Sequence, residues 1–166
     1  MTPPTEIERL RYRGKRMRNL TVKADSELRL EDFGGTSVEL DLEMSAPAAQ
    51  RYGVLVCCSP DGEEQTRAYY DTVEQRLAID TTTSSLTEGP RTVEAGPFAL
   101  SADERLALRV FVDKSVVEVF ANGRQAVMRR VYPSRRDSVG IRLFAAGGPA
   151  SVPRLDAWDM MPSNPY

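Results

Sequence analysis

A chain of 166 residues with 41% apolar and 28% charged side chains and a net charge of −2 has the balance of a soluble globular domain. At this length one core can bury about two thirds of the unfolded surface, so residues 1–166 are expected to form a single domain. Three classes are excluded or disfavoured at once. No run approaches the roughly 18 apolar residues of a membrane span, the opening MTPPTEIERLRYRGK lacks the apolar stretch of a secretory leader, and the absence of histidine removes Ser–His and Cys–His nucleophile pairs and histidine metal sites. The missing leader points to a cytoplasmic protein unless the N-terminus has been trimmed.

The chain begins with a basic stretch: Arg9, Arg11, Arg13, Lys15, Arg16 and Arg18. Arg9, Arg11 and Arg13 share one parity, as the solvated or partner-facing edge of a strand would. A second basic group, Arg129, Arg130, Arg135 and Arg136, lies far along the chain. An isoelectric point near 5.3 argues against a nucleic-acid partner.

Period-two alternation then recurs. In SVELDLEM, Val38, Leu40, Leu42 and Met44 face one way and Glu39, Asp41 and Glu43 the other, the pattern of a half-buried strand. YGVLVCC is a more continuously apolar strand, and its adjacent Cys57 and Cys58 would point to opposite faces, which disfavours a disulfide between them. Ser59-Pro60-Asp61-Gly62 is turn chemistry, QTRAYYD returns, and RLAID completes a three-strand meander. Residues 81–104, broken by Gly89, Pro90, Gly96 and Pro97, predict a long surface loop with at most one short strand.

ERLALRVFV places Leu106, Leu108, Val110 and Val112 on one face. Asp113-Lys114 predicts a tight reversal, and VVEVF returns to Asn122-Gly123. That dipeptide is a strong two-residue hairpin signal, because both central positions of a type I′ turn require positive φ. QAVMRRVYP, VGIRLFAA and VPRLDAWDM follow. About a dozen short strands with Gly and Pro punctuation predict an all-β sandwich or barrel.

LRVFVDKSVVEVFANGR, followed by VYPSRRDSVGIRLFAAGG, resembles the C-terminal β-sandwich of glycoside hydrolase family 32, the family of invertases, levanases and inulinases. The likeness extends over about residues 5–162, through VLVCCSPDGEEQTRAYYD, RLAID and the terminal LDAWDM. Its most specific part is D-x-S-x-x-E-x-F with the N-G turn. TTTSSL after Asp80 departs from the more basic segment expected in relatives.

The resemblance implies a two-sheet antiparallel β-sandwich of jelly-roll or concanavalin-like type. It also implies that the chemistry belongs to an N-terminal five-bladed propeller carrying N-D-P-N, R-D-P and E-C motifs, none of which occurs here. The function implied is that of a non-catalytic module which packs against and stabilises such a propeller, supplied in cis or in trans. The alternative is a stand-alone module that binds terminal fructose of levan or inulin. No cofactor, nucleic-acid or membrane partner is implied.

Asp113, Ser115 and Glu118 are the candidate site residues. A retaining glycosidase needs two carboxyls about 5 Å apart, and Asp113 and Glu118 flank a reversal, but no pocket to enclose a sugar accompanies them. The same three residues could contact a sugar without catalysis. They could also be hairpin architecture, with Asp113 and Ser115 accepting backbone N–H groups and Glu118 pairing with Arg109 or Arg142. Trp158, Tyr69, Tyr70 and Tyr132 offer rings for sugar stacking or for packing, and of Tyr69 and Tyr70 only the outward one is a candidate. Asp61 and Asp71 have no calcium-loop spacing.

Overall fold

The computed structural model describes residues 1–87 and 91–163. After a short 3₁₀ helix, Thr5–Leu10, come twelve strands. They are β1 (Arg11–Val22), β2 (Ser26–Gly34), β3 (Ser37–Ser45), β4 (Arg51–Cys58), β5 (Thr66–Asp71) and β6 (Arg76–Asp80), then β7 (Val93–Pro97), β8 (Leu106–Asp113), β9 (Val116–Ala121), β10 (Gln125–Arg130), β11 (Gly140–Ala146) and β12 (Ala150–Met160). They form two six-stranded sheets, ordered β1-β12-β3-β8-β9-β10 and β2-β11-β4-β5-β6-β7. Every pairing is antiparallel. The fold is the expected antiparallel β-sandwich.

The alternation of apolar residues decides which face of each strand is buried. Val38, Leu40, Leu42 and Met44 of β3 are fully buried, as are Leu106 and Val110 of β8. They meet Val54 and Val56 of β4 and Leu143 of β11 in one continuous core. Burying each such side chain contributes about 1.5–3 kcal/mol, so strand register and core composition enforce each other. The adjacent cysteines separate as expected. Cys57 joins the main core and Cys58 a small cluster with Leu55, Tyr69, Ala78 and Phe144 on the outer side of the second sheet. Both thiols are free, and burial pushes each up to about 12.

Several expectations require correction. The basic N-terminal stretch does not keep one parity. Arg9 lies in the 3₁₀ helix, and β1 is bulged between Tyr12 and Lys15, where Arg13 takes a φ of 47°. The extra bulge residue flips the facing, so that Arg11 points outward before it and Arg16 and Arg18 after it. The hairpin reversal falls on Lys114-Ser115 rather than Asp113-Lys114, because Asp113 still pairs with Val116. β10 ends at Arg130, short of Tyr132-Pro133.

Strand β2 had not been expected. Its signal is Leu28 and Leu30 alternating with Glu27, Arg29 and Glu31, interrupted where Asp32 takes a φ of 55°. Within 81–104 the one short strand is β7; Gly89 and Pro90 lie outside the described residues.

Candidate functional site

Cross-strand register places a row of side chains on the outer face of the first sheet. Trp158 of β12 stands opposite Glu39 of β3, Glu39 opposite Phe111 of β8, and Phe111 opposite Glu118 of β9. Glu39 is 0% exposed. Arg11 Nε and Nη2 donate to its two oxygens at 2.8 and 2.6 Å, and Arg109 Nε donates to Oε1 at 2.6 Å. Glu8 of the 3₁₀ helix lies 3.6 Å from Arg11 and 3.5 Å from Arg109, and the Arg11 guanidinium sits 3.9 Å from the centre of the Trp158 ring. Three charge-assisted hydrogen bonds offset the cost of removing this carboxylate from water. They tie β1, β3 and β8 together. Met1, Thr2 and Pro3 line a small cavity with Arg109 and Phe120, so the N-terminal segment crosses this face from the β9–β10 hairpin to the start of β1.

The three candidate residues are not brought into one site. Asp113 and Glu118 share the outer face but stand two rungs apart along the β8–β9 ladder. Asp113 is exposed and accepts a hydrogen bond from the Ser37 hydroxyl at 3.2 Å, not from a backbone N–H. Glu118 is half-buried and has no hydrogen bond or ion pair among the described residues. The arginines expected to hold it are engaged elsewhere, Arg109 with Glu39 and Arg142 with Glu27 at 2.7 Å. Ser115 belongs to the turn, its carbonyl accepting from Val131 N–H at 2.8 Å, and it alone of the three lines a sizeable cavity.

Two of the four candidate rings are core or covered. Tyr70 packs edge-on against Tyr52 and Phe98 in the main core. Tyr69 faces outward from the second sheet as its parity requires, yet it is only 5% exposed, packed against Phe144 and lying below Arg51. Trp158 is partly covered by Arg11. Tyr132 is 57% exposed and lines the cavity that holds Ser115. This cavity, of about 360 Å³, opens at the end of the sandwich between the β2–β3, β8–β9 and β10–β11 connections.

A second buried carboxylate organises the same end. Glu64, in the β4–β5 loop, accepts from Leu86 N–H at 2.9 Å, Ser134 N–H at 2.8 Å, Arg135 N–H at 3.1 Å, Ser138 Oγ at 2.6 Å and the Ser134 hydroxyl. Burial alone would push this carboxyl up. The hydroxyls of Ser134 and Ser138, with the backbone N–H groups, outweigh burial and bring it down to about 2. Three loops are thereby clamped by one anion. Beside them Asp61 pairs with Arg135, which also holds Asp137 at 2.8 Å.

Glu39 and Glu64 were both missed from sequence. Glu39 had a usable signal, a carboxylate amid a buried strand with arginines on nearby strands. Glu64 had none, since it sits in a loop and its partners come from two other loops 22 to 74 residues away. Among the described residues no group of three or more Cys, Asp or Glu is placed to hold a metal ion.

Residues 6–159 match the family model described as glycosyl hydrolases family 32, C terminal. The chain is 32% identical over 165 residues to a levanase of Bacillus subtilis, covering 93% of this chain and 23% of the levanase. It is also 32% identical over 127 residues to an extracellular exo-inulinase of Aspergillus niger, covering 74% of this chain and 24% of the inulinase. The fold superposes on fructan 1-exohydrolase IIa from Cichorium intybus with a TM-score of 0.86 at 18% identity, over 96% of this chain and 37% of that one. The chain thus spans about a quarter of the length of the curated relatives it matches. The family match over 6–159, agreeing with the sandwich in fold, shows that the chain belongs to glycoside hydrolase family 32 and corresponds to its C-terminal domain.

Proposed function

We propose that this β-sandwich is a non-catalytic module that packs against and stabilises the catalytic propeller of a family 32 β-fructosidase. The observation that carries the reading is the match to the C-terminal part of the family alone, with about three quarters of each relative lying outside it. The geometry agrees. Asp113 and Glu118 stand two rungs apart on the outer sheet face, and neither lines the end cavity, whereas glycoside hydrolysis needs paired carboxyls around an enclosed, distorted sugar. The isolated chain is expected to release no fructose from sucrose, levan or inulin. Reducing-sugar release above blank, abolished by Glu118→Gln, would overturn this.

A second reading is favoured by one observation, the exposed Tyr132 ring beside Ser115 in the end cavity. It is a module that binds terminal fructose of levan or inulin. Calorimetry with inulin oligosaccharides tests it: loss of binding in Tyr132→Ala, with an unchanged melt, would support it, and no heat of binding to wild-type protein would remove it.

A further inference from the structure

The end cavity has a charge character that a neutral fructan end does not use. Its floor is apolar, formed in part by Cys57 and Val131, both buried. Among the described residues the charged side chains on its rim are Lys114, Arg135 and Arg136, and no carboxylate lines it, the Glu64 carboxylate lying behind the wall where Ser138 and the Arg135 N–H hold it. Arg135 is compensated by Asp61 and Asp137. Lys114 and Arg136 have no ion pair or side-chain hydrogen bond among the described residues. The chain as a whole carries a net charge of −2, so a rim of cations is not a consequence of general basicity.

The backbone adds an independent observation. Lys114 takes a φ of 53°, a left-handed turn position that glycine or asparagine fills more cheaply. Its N–H donates to the Thr36 carbonyl at 2.6 Å, which fixes the turn at the cavity mouth. Lys114 is one of eight non-glycine residues with positive φ among the described residues, and its turn holds the side chain at the cavity rim. The floor thiol of Cys57, pushed up by burial and then by the Glu64 carboxylate behind the cavity wall, stays neutral. The exposed ring of Tyr132 and the residues Ser115 and Thr36 line the same cavity.

We propose that this cavity is an anion-binding site that takes the phosphoryl group of a sugar phosphate. Lys114 and Arg136 supply the charge, the Tyr132 ring supports the apolar face of the sugar, and Ser115 and Thr36 offer hydroxyls to it. A volume of about 360 Å³ accommodates a ligand of that size. Charge-assisted hydrogen bonds to a phosphoryl group are about twice as strong as neutral ones, so the rim discriminates in favour of the phosphorylated sugar. The inference rests on the second reading above, that this cavity is a ligand site, and is independent of propeller docking.

Isothermal titration of the whole chain with fructose 6-phosphate, inorganic phosphate and a neutral inulin oligosaccharide tests it. Fructose 6-phosphate should bind saturably and more tightly than either other probe. Lys114→Gln and Arg136→Gln should each weaken it by roughly tenfold, the size of one charge-assisted contact. Tyr132→Ala should weaken fructose 6-phosphate and leave inorganic phosphate unchanged. Arg16→Gln, which removes an exposed cation on β1 at the opposite edge of the first sheet, should change nothing. All four positions are surface sites, and thermal melts confirm that each variant folds.

Equal loss in Arg16→Gln would show non-specific charge attraction and overturn the site. Binding of the neutral oligosaccharide as tight as that of fructose 6-phosphate would overturn the anion inference while leaving the second reading standing. Silence from all three probes would remove both.

Discussion

Glu39 and Glu118 lie on one sheet face, separated only by Phe111, and differ sharply in what their removal should do. Glu39→Ala leaves Arg11 and Arg109 facing each other with only the more exposed Glu8 beside them, and breaking a buried pair in this way costs about 3–5 kcal/mol. Glu118→Ala breaks no ion pair or hydrogen bond among the described residues and should change stability by no more than about 0.5 kcal/mol. Denaturant midpoints of the two variants check the assignment. A large loss in Glu118→Ala with a small one in Glu39→Ala would mean that the wrong glutamate has been placed between the arginines. Sequence alone offers Glu118 a pairing role, because it lies within an apolar strand and would need an arginine if it faced inward. Cross-strand register decides the matter, and register across β3, β8 and β9 cannot be read from β9.

Glu64 makes a pH-dependent prediction at the same scale. Its folded carboxyl sits at about 2, below the ordinary glutamate value of 4.5. A depressed folded pKa means that the ionised form binds more favourably in the fold, so the stabilisation is present above the unfolded value and is lost as pH falls through the folded one. Acid melts should therefore show a loss of stability between about pH 4.5 and 2 that is smaller in Glu64→Gln. The substitution itself should cost about 1–3 kcal/mol at neutral pH, because its amide presents N–H to an array of donors. Equal acid profiles for the two proteins would contradict the clamp.

At the scale of elements, the β8–β9–β10 meander was the most legible part of the chain. Leu106, Leu108 and Val110 are buried as the alternation required, and Asn122 and Gly123 take the expected positive φ, 47° and 65°, although Ala121 pairs with Gln125 so that the connection has three residues rather than the two expected. Val110→Asp should unfold the domain by burying an unpaired charge. Gly123→Ala should cost about 1 kcal/mol from left-handed strain, since the space around its Cβ position is open enough for a methyl group. Circular dichroism melts distinguish the two, and a folded Val110→Asp protein would show that the β8 register is wrong. Arg109→Asp should also be severe, because it places a third carboxylate beside Glu39 and Glu8. β1 and β2 were the least legible elements. Bulges at Arg13 and around Asp32 reset their side-chain phase, and a parity argument fails wherever one residue is added to one strand.

At the scale of the whole molecule, the fold class was readable because a dozen short alternating segments admit few architectures. The site was not, because the end cavity is assembled from loops distant in sequence, and Asp113, Ser115 and Glu118 share a motif without sharing a pocket. The family places the chain beside larger relatives, and on the proposed reading the module would dock through an interface of the size usual between domains of one chain, about 600–1,500 Å². The central claim, that the sandwich stabilises a family 32 propeller, is tested most directly by titrating the chain into the Bacillus subtilis levanase truncated to remove its matching region and following the propeller's melting temperature. A saturable rise in that temperature, reached by tens of micromolar chain, is the result expected. An unchanged melt over that range would contradict the account.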